Sequence, residues 1–244
     1  VQEGRLGLDA KVFGTGGVLG NDYGTAPYNT NLLNITVRHL LQNVSGSWGA
    51  ASGGDVIDQN PAYNYKQLFD WIIDSRPNPN PPGTVYDYSN VNFVFAGRII
   101  EKITGKSYIN YIKEDIMAPI GGTQTDISGK TEAEQKPNEV KYYGQGNDAP
   151  FVYTIAFPRR DADGGLMTTA SDLIRLVNAI RGSSTRPDIL NSASLTQLTT
   201  PSAAFNGYAC GIGLWSAENI WFNYGSLPGT RTAFMRNANG MCAV

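Results

Sequence analysis

Apolar residues recur every three or four positions in five stretches of the chain, and each predicts an amphipathic helix. In "ITVRHLLQNV" (35–44), Val37, Leu40, Leu41 and Val44 share one face, with Thr36 placed to cap the start and Gly46 beyond the end. "YKQLFDWIIDS" (65–75) stacks Leu68, Phe69, Ile72 and Ile73, and "SYINYIKEDIM" (107–117) aligns Ile109, Ile112 and Ile116. "NFVFAGRIIEKITG" (92–105) puts Phe93, Ala96, Gly97, Ile100 and Ile103 on one side and closes on Gly105. "TTASDLIRLVNAIRG" (168–182) carries Leu173, Leu176, Val177 and Ile180, capped by Thr169 or Ser171 and stopped by Gly182. The period then changes. "YACGIGLW", "NIWFNYG", "TRTAFMR" and "GMCAV" are short strand-like runs, parted by turn pairs such as Pro228-Gly229 and Asn239-Gly240. Helices in the middle and strands at the end predict a mixed α/β protein with a helical insert. The final run stops in mid-strand and "VQEGRLGLDAKV" reads like a protein interior, so the expectation is a chain cut at both ends.

Composition narrows the possible partners. The 244 residues are 41% hydrophobic and 11% aromatic, enough for one substantial core. Nineteen basic against 21 acidic side chains leave a formal charge of −2, with no basic stripe for nucleic acid or an anionic membrane. No apolar run approaches the ~20 residues of a membrane-spanning helix. Cys210 and Cys242 form neither a disulfide framework nor a zinc cluster, and read as two small side chains unless neighbouring strands bring them together.

Several routes to catalysis are closed. His39 is the only histidine, so a zinc site built on two histidines is excluded, and its position beside the apolar stripe gives it a structural, surface-leaning reading. No Gly-x-Ser-x-Gly elbow and no Gly-x-x-x-x-Gly-Lys loop occurs. "GTGGVLG" (14–20) precedes no helix and reads as a loop rather than a dinucleotide fingerprint. Three segments remain, in order. Tyr88-Ser89-Asn90 sits where a proline-rich loop becomes a helix, either as a capped helix start or as a set of groups held for chemistry. "DADGGLMTTASDL" (161–173) brings two glycines to a capped helix, and "NYGSLPGTRTAFMR" (223–236) is a strand, a tight turn and a second strand.

Taken together, these segments resemble the serine hydrolases related to class C β-lactamases, D-alanyl-D-alanine carboxypeptidases and esterase-like penicillin-binding proteins. "PGTVYDYSNVNFVFAGRIIEKITGKSY" resembles their Tyr-x-Asn block, "ITVRHLLQNVSG" their T-V-R-x-L-L-x-H-x-S-G segment, and "GGLMTTASDL" their G-G-L-x-S-T-x-x-D-L block. "NYGSLPGTRT" resembles the H-x-G or K-T-G strand followed by Pro-Gly. The resemblance runs through essentially the whole chain. It implies an α/β (α+β) β-lactamase/transpeptidase-like fold: an antiparallel sheet flanked by helices, a mostly helical subdomain over residues 36–160, and residues 1–35 and 161–244 in the α/β part. It further implies that Tyr88 helps to move the proton of a nucleophilic serine. A free phenol has a pKa of ~10, so it acts as a base only beside an ammonium that stabilises or relays the charge. Asn90 would hold the lysine and the substrate carbonyl. Asn223, Gly225 and Ser226 would bind substrate, and the Ser226 N–H would form half of an oxyanion hole. No metal or cofactor is implied, the substrate would be a small molecule or peptide, and a secreted or periplasmic setting would follow.

Two departures matter. The family's nucleophile is the serine of Ser-x-x-Lys, and no serine here has lysine three residues later; Ser128-Gly129-Lys130 misses by one. The expectation is that this segment precedes Val1, or that a second chain completes the domain. Asn223 stands where relatives carry His or Lys and supplies no positive charge, although Arg231 is near in sequence, and Asn43 replaces the usual His of the L-L-x-H block. The reading is a hydrolase acting on an ester, amide or small peptide through an acyl-serine intermediate. Its rival is a non-catalytic ligand-binding or sensor homologue of the same fold.

Overall fold

Local capping chemistry sets where the helices begin. The computed structural model describes residues 1–49, 56–76, 78–129, 131–180 and 188–244. Two short helices, α1 (Thr30–Asn34) and α2 (Val37–Leu41), are followed by α3 (Tyr65–Ser75), α4 (Asn90–Thr104), α5 (Tyr108–Tyr111), α6 (Ala170–Ala179) and α7 (Ser192–Thr199). Thr36 caps α2 and Asn64 caps α3, each through a reciprocal capping box, and Thr169 caps α6 by accepting from Asp172 N–H. Gly182, read as the stop of α6, lies outside the described residues. No described helix is long and apolar enough to cross a membrane.

Three readings need correction. Helix α2 ends before Val44 because Asn43 takes a left-handed conformation, φ 55°, which breaks the helical ladder. Helix α4 buries Val91, Asn92, Val94, Phe95, Gly97, Arg98 and Ile99, whereas Phe93, Ala96, Ile100 and Ile103 are only partly covered. It is enclosed on several sides, so a single-stripe pattern picked the wrong face. The segment 107–117 is α5 followed by a π-helical stretch over Ile112–Met117, not one regular helix. Helix α7, with its Ser and Thr content, gave no apolar period and was not anticipated.

Phe95 lies at the centre of the core. Its ring is 4.6 Å from Phe69 of α3, 5.2 Å from Phe13 and 5.3 Å from Trp48. Burial of side chains this large contributes about 1.5–3 kcal/mol each, so α3 and α4 are held by packing beyond what their propensity supplies. At Gly97 a Cβ would stand 2.6 Å from the Ala162 Cβ, so α4 meets the 157–165 segment at backbone distance. That segment is tied down by buried charge. Arg98 pairs with Asp161 at 2.5 Å and covers the Tyr65 ring at 4.4 Å, while Arg160 joins Asp163 at 2.8 Å and Asp58 at 2.6 Å.

The strands are β1 (Asp126–Ile127), β2 (Leu166–Met167), β3 (Gly213–Trp215), β4 (Ile220–Leu227), β5 (Thr230–Arg236) and β6 (Cys242–Ala243). β1 and β2 form an antiparallel pair, and the last four form an antiparallel sheet in sequence order. Pro228-Gly229 makes the β4–β5 turn, as the sequence predicted, and sets Gly225 opposite Thr232 and Ser226 opposite Arg231. Helix α6 packs on β5 and β6. Cys210 and Cys242 are both free thiols.

Candidate active site

The loop carrying Tyr88 is fixed by a buried amide network. The Asn43 Oδ1 accepts from Ser89 N–H at 3.1 Å and from the Asn92 Nδ2 at 3.0 Å, while its backbone carbonyl accepts from Asp87 N–H at 2.9 Å. Ser45 Oγ donates to Asn92 Oδ1 at 2.9 Å. On the other side, the Asp87 carboxylate accepts from Ser47 Oγ and Gly49 N–H, both at 3.0 Å. Ser89 occupies the position before α4, yet its hydroxyl makes no cap; it donates to the Trp48 carbonyl at 2.9 Å. The capped-helix reading of Tyr88-Ser89-Asn90 therefore fails at Ser89, whose hydroxyl anchors the loop to the core. Asn43, which stands in place of the usual His of the L-L-x-H block, has no exposed surface and sits at the hub of this network.

Between the inward-turned Asp87 and Ser89, Tyr88 is 45% exposed. Asn90 is half-buried as the first residue of α4. The Tyr88 ring lies edge-on to Tyr208 at 6.0 Å and 6.5 Å from Phe93. Tyr86 lies 5.8 Å from Tyr208 and 4.3 Å from Phe205. Burial, then the negative charge that Tyr88, Tyr224 and Asp87 can carry, pushes the Tyr86 phenol up to about 12. Tyr208, the more deeply buried, is raised further, again by burial first. Tyr86 is half-buried and Tyr208 almost fully covered, so Tyr88 is the most exposed phenol of the three.

Strand β4 approaches this cluster through the 208–211 segment. The Asn223 Nδ2 donates to the Gly211 carbonyl at 3.0 Å. Gly211 has φ 82°, a left-handed turn that suits glycine. β3 pairs with β4 only as far as Phe222, whereas β5 pairs with it to Leu227, so no described strand flanks residues 223–227 on the β3 side. Tyr224, Gly225 and Ser226 are exposed there. The Arg231 Nη1 donates to the Leu227 and Thr230 carbonyls at 2.9 and 2.8 Å, inside its own hairpin.

The "GGLMTTASDL" block is a junction. Asp172 is buried, accepts from Thr123 and Gln124 N–H at 2.9 and 2.8 Å, and pairs with Arg175 at 2.5 Å. Burial opposes its ionisation, but the two N–H groups and Arg175 together hold its carboxyl below the usual range. Among the described residues, no group of three or more His, Cys, Asp or Glu could hold a metal ion. His39 is half-buried rather than surface-leaning; its Nδ1 accepts from Thr36 N–H at 3.2 Å and closes the α2 cap.

The family model described as Beta-lactamase matches residues 1–244. The chain belongs to the beta-lactamase family. Among curated relatives, this beta-lactamase-family chain is 24% identical over 236 residues to a penicillin-binding protein of Bacillus subtilis (strain 168), covering 83% of the chain and 48% of that protein. It therefore spans about half the length of the curated relatives it matches. Of solved structures, it is similar to a D-stereospecific amidohydrolase from Streptomyces sp., at 25% identity and a TM-score of 0.72, covering 98% of this chain and 73% of that one. It also shares its fold with a penicillin-binding protein from Bacillus halodurans, at 20% identity and a TM-score of 0.73, over 99% and 73% of the two chains.

Three parts of this site escaped sequence reading: the Asn43–Asn92–Ser45 network, Trp48 as the acceptor for Ser89, and the convergence of Tyr86, Phe205 and Tyr208. The Tyr86-x-Tyr88 spacing carried a hint of the last, because alternate residues of an extended loop face one way.

Proposed function

We propose that the protein containing this chain is a serine hydrolase that transfers an acyl group to water, acting on an ester, amide or small peptide. The nucleophilic serine and its lysine would be supplied from outside residues 1–244, since no Ser-x-x-Lys occurs within them. Tyr88 would pass the serine proton, with the lysine ammonium nearby to stabilise its phenolate. Asn90 would hold that lysine and the substrate carbonyl. The substrate backbone would pair with the open β4 edge at Gly225, and Ser226 N–H would give one oxyanion donor. Asn223 would act as a neutral positioning group, its amide spent on Gly211. The helical subdomain over 36–160 would form one wall and residues 161–244 the other.

The observation that carries this reading is a phenol held exposed between the buried Ser89 and the half-buried Asp87, with residues 223–227 of β4 flanked on the β3 side by no described strand. In a protein that includes the nucleophile, Tyr88→Phe should retain the fold and slow acylation by a chromogenic ester by roughly 10²–10⁴, the usual contribution of a general acid–base. An unchanged acylation rate would sink it. The rival reading, a ligand-binding homologue without catalysis, draws support from Asn223, which is uncharged and already bonded to Gly211. That reading requires the unmutated protein, nucleophile segment included, to show no acylation by the ester.

A further inference from the structure

Tyr86, Phe205 and Tyr208 come from two distant parts of the chain, the loop before α4 and the approach to β3, and meet beside Tyr88. The core does not need them there. Phe205 remains 40% exposed although its ring lies tilted against Tyr86 at 4.3 Å, and Tyr224 is 72% exposed on the adjoining strand. Tyr208, almost fully covered, lies under the group. The result is an apolar floor with aromatic sides, contiguous with the ring of the proposed proton-transfer residue. Its electrostatics are one-sided. Tyr88, Tyr224 and Asp87 all act on Tyr86, and each is negative when ionised. A carboxylate entering this place would lose hydration near the Asp87 carboxylate, whereas an uncharged ring would meet aromatic faces and edges.

We propose that Tyr86, Phe205 and Tyr208 form a specificity subsite that receives an aromatic, uncharged substituent of the substrate next to Tyr88. This rests on the reading of the Tyr88 cleft as the substrate site. It adds a substrate class: amides or esters carrying an aryl group and lacking a free carboxylate at that end. The rings fix the preference by contact area and geometry, and the Asp87 carboxylate fixes it by opposing an anion.

Three probes isolate these effects on the 244-residue chain: phenylacetamide, acetamide, which lacks the ring, and phenylacetate, which keeps the ring and adds the charge. Binding is followed by the amide NMR shifts of Gly207, Tyr208 and Gly211. Phenylacetamide should bind about tenfold more tightly than either of the others. Phe205→Ala, at an exposed position, should weaken it about 3- to 10-fold, the worth of one aromatic contact, and Tyr86→Ala should do the same. Tyr86→Leu should recover part of the affinity and reports on the site if the alanine variant fails to fold. Neither change should alter acetamide binding. Phenylacetate binding as well as phenylacetamide would overturn the proposal. So would shifts confined to another surface, or phenylacetamide binding unaltered by Phe205→Ala and Tyr86→Leu. Probe binding needs no nucleophile, so this test and the acylation test of Tyr88→Phe can fail separately.

Discussion

Asn43 shows how one side chain can position a site without touching substrate. It ends α2 by taking a left-handed conformation and, from there, fixes Ser89 and Asn92 with one oxygen. Replacing it with leucine removes that acceptor and leaves two buried donors unmatched, at about 1–3 kcal/mol each. Asn43→Leu should therefore lower stability in urea denaturation by about 2–6 kcal/mol, with Tyr88 losing its fixed position as well. His39 gives a second test. Its Nδ1 accepts a hydrogen bond, which requires the neutral ring, and burial first, then the charge on Lys11, lowers its pKa below the usual 6.5. The folded protein thus resists protonation of this residue. Its contribution is present in full above pH ~6.5, the unfolded value, and is lost as pH falls through the lower folded value. Being the sole histidine, it can be followed by its ring-proton NMR titration. The midpoint should lie below 6.5, and His39→Gln should remove this part of the stability slope.

Among the secondary-structure elements, the segment 157–165 is the clasp that holds α4 to the rest of the molecule. Arg98 projects from α4 into a place where Asp161 is its closest counter-ion, with Glu101 at 3.2 Å as a weaker second. Removing the aspartate leaves a buried guanidinium short of compensation, and such losses run to about 3–5 kcal/mol. Asp161→Ala should cost about 3 kcal/mol, toward the low end because Glu101 remains. The paired change Arg98→Met with Asp161→Ala should recover much of the loss, as measured by a double-mutant cycle in chemical denaturation. Equal destabilisation by the single and paired variants would show that packing, and not the ion pair, holds the clasp.

For the molecule as a whole, the prediction concerns chemistry outside the chain. Residues 1–244 contain Tyr88, Asn90 and the β4 edge but no Ser-x-x-Lys. The isolated chain should neither hydrolyse a chromogenic ester nor be labelled by a fluorophosphonate, as read by intact mass. Labelling at any serine within 1–244 would place the nucleophile inside the chain and overturn the assignment made for it. Ser128 is the one to watch in such an experiment, being hydrogen-bonded to Glu139 and Tyr142, although it is buried and its cluster stays on the side of the β4–β5 turn.

The parts of this protein that could be read without coordinates are those governed by short-range rules. Thr36 and Thr169 mark helix starts because a hydroxyl satisfies an N–H within three residues. Pro228-Gly229 marks a hairpin because its backbone geometry is local, and Tyr88-x-Asn90 with "NYGSLPG" carries a family spacing. Other features depend on contacts between segments far apart in sequence. Two-residue strands β1 and β2 have no period to detect, and α4 is buried on several faces by partners that its own sequence does not name. Ser89 looks like a cap until Trp48 is brought within reach of its hydroxyl. Asn43 looks like a conservative replacement until Asn92 and Ser89 close around it. Tyr86 and Phe205 have nothing to do with each other along the chain. Their contact belongs to the tertiary structure alone, because a distant pair is fixed only when the core between its two segments has formed.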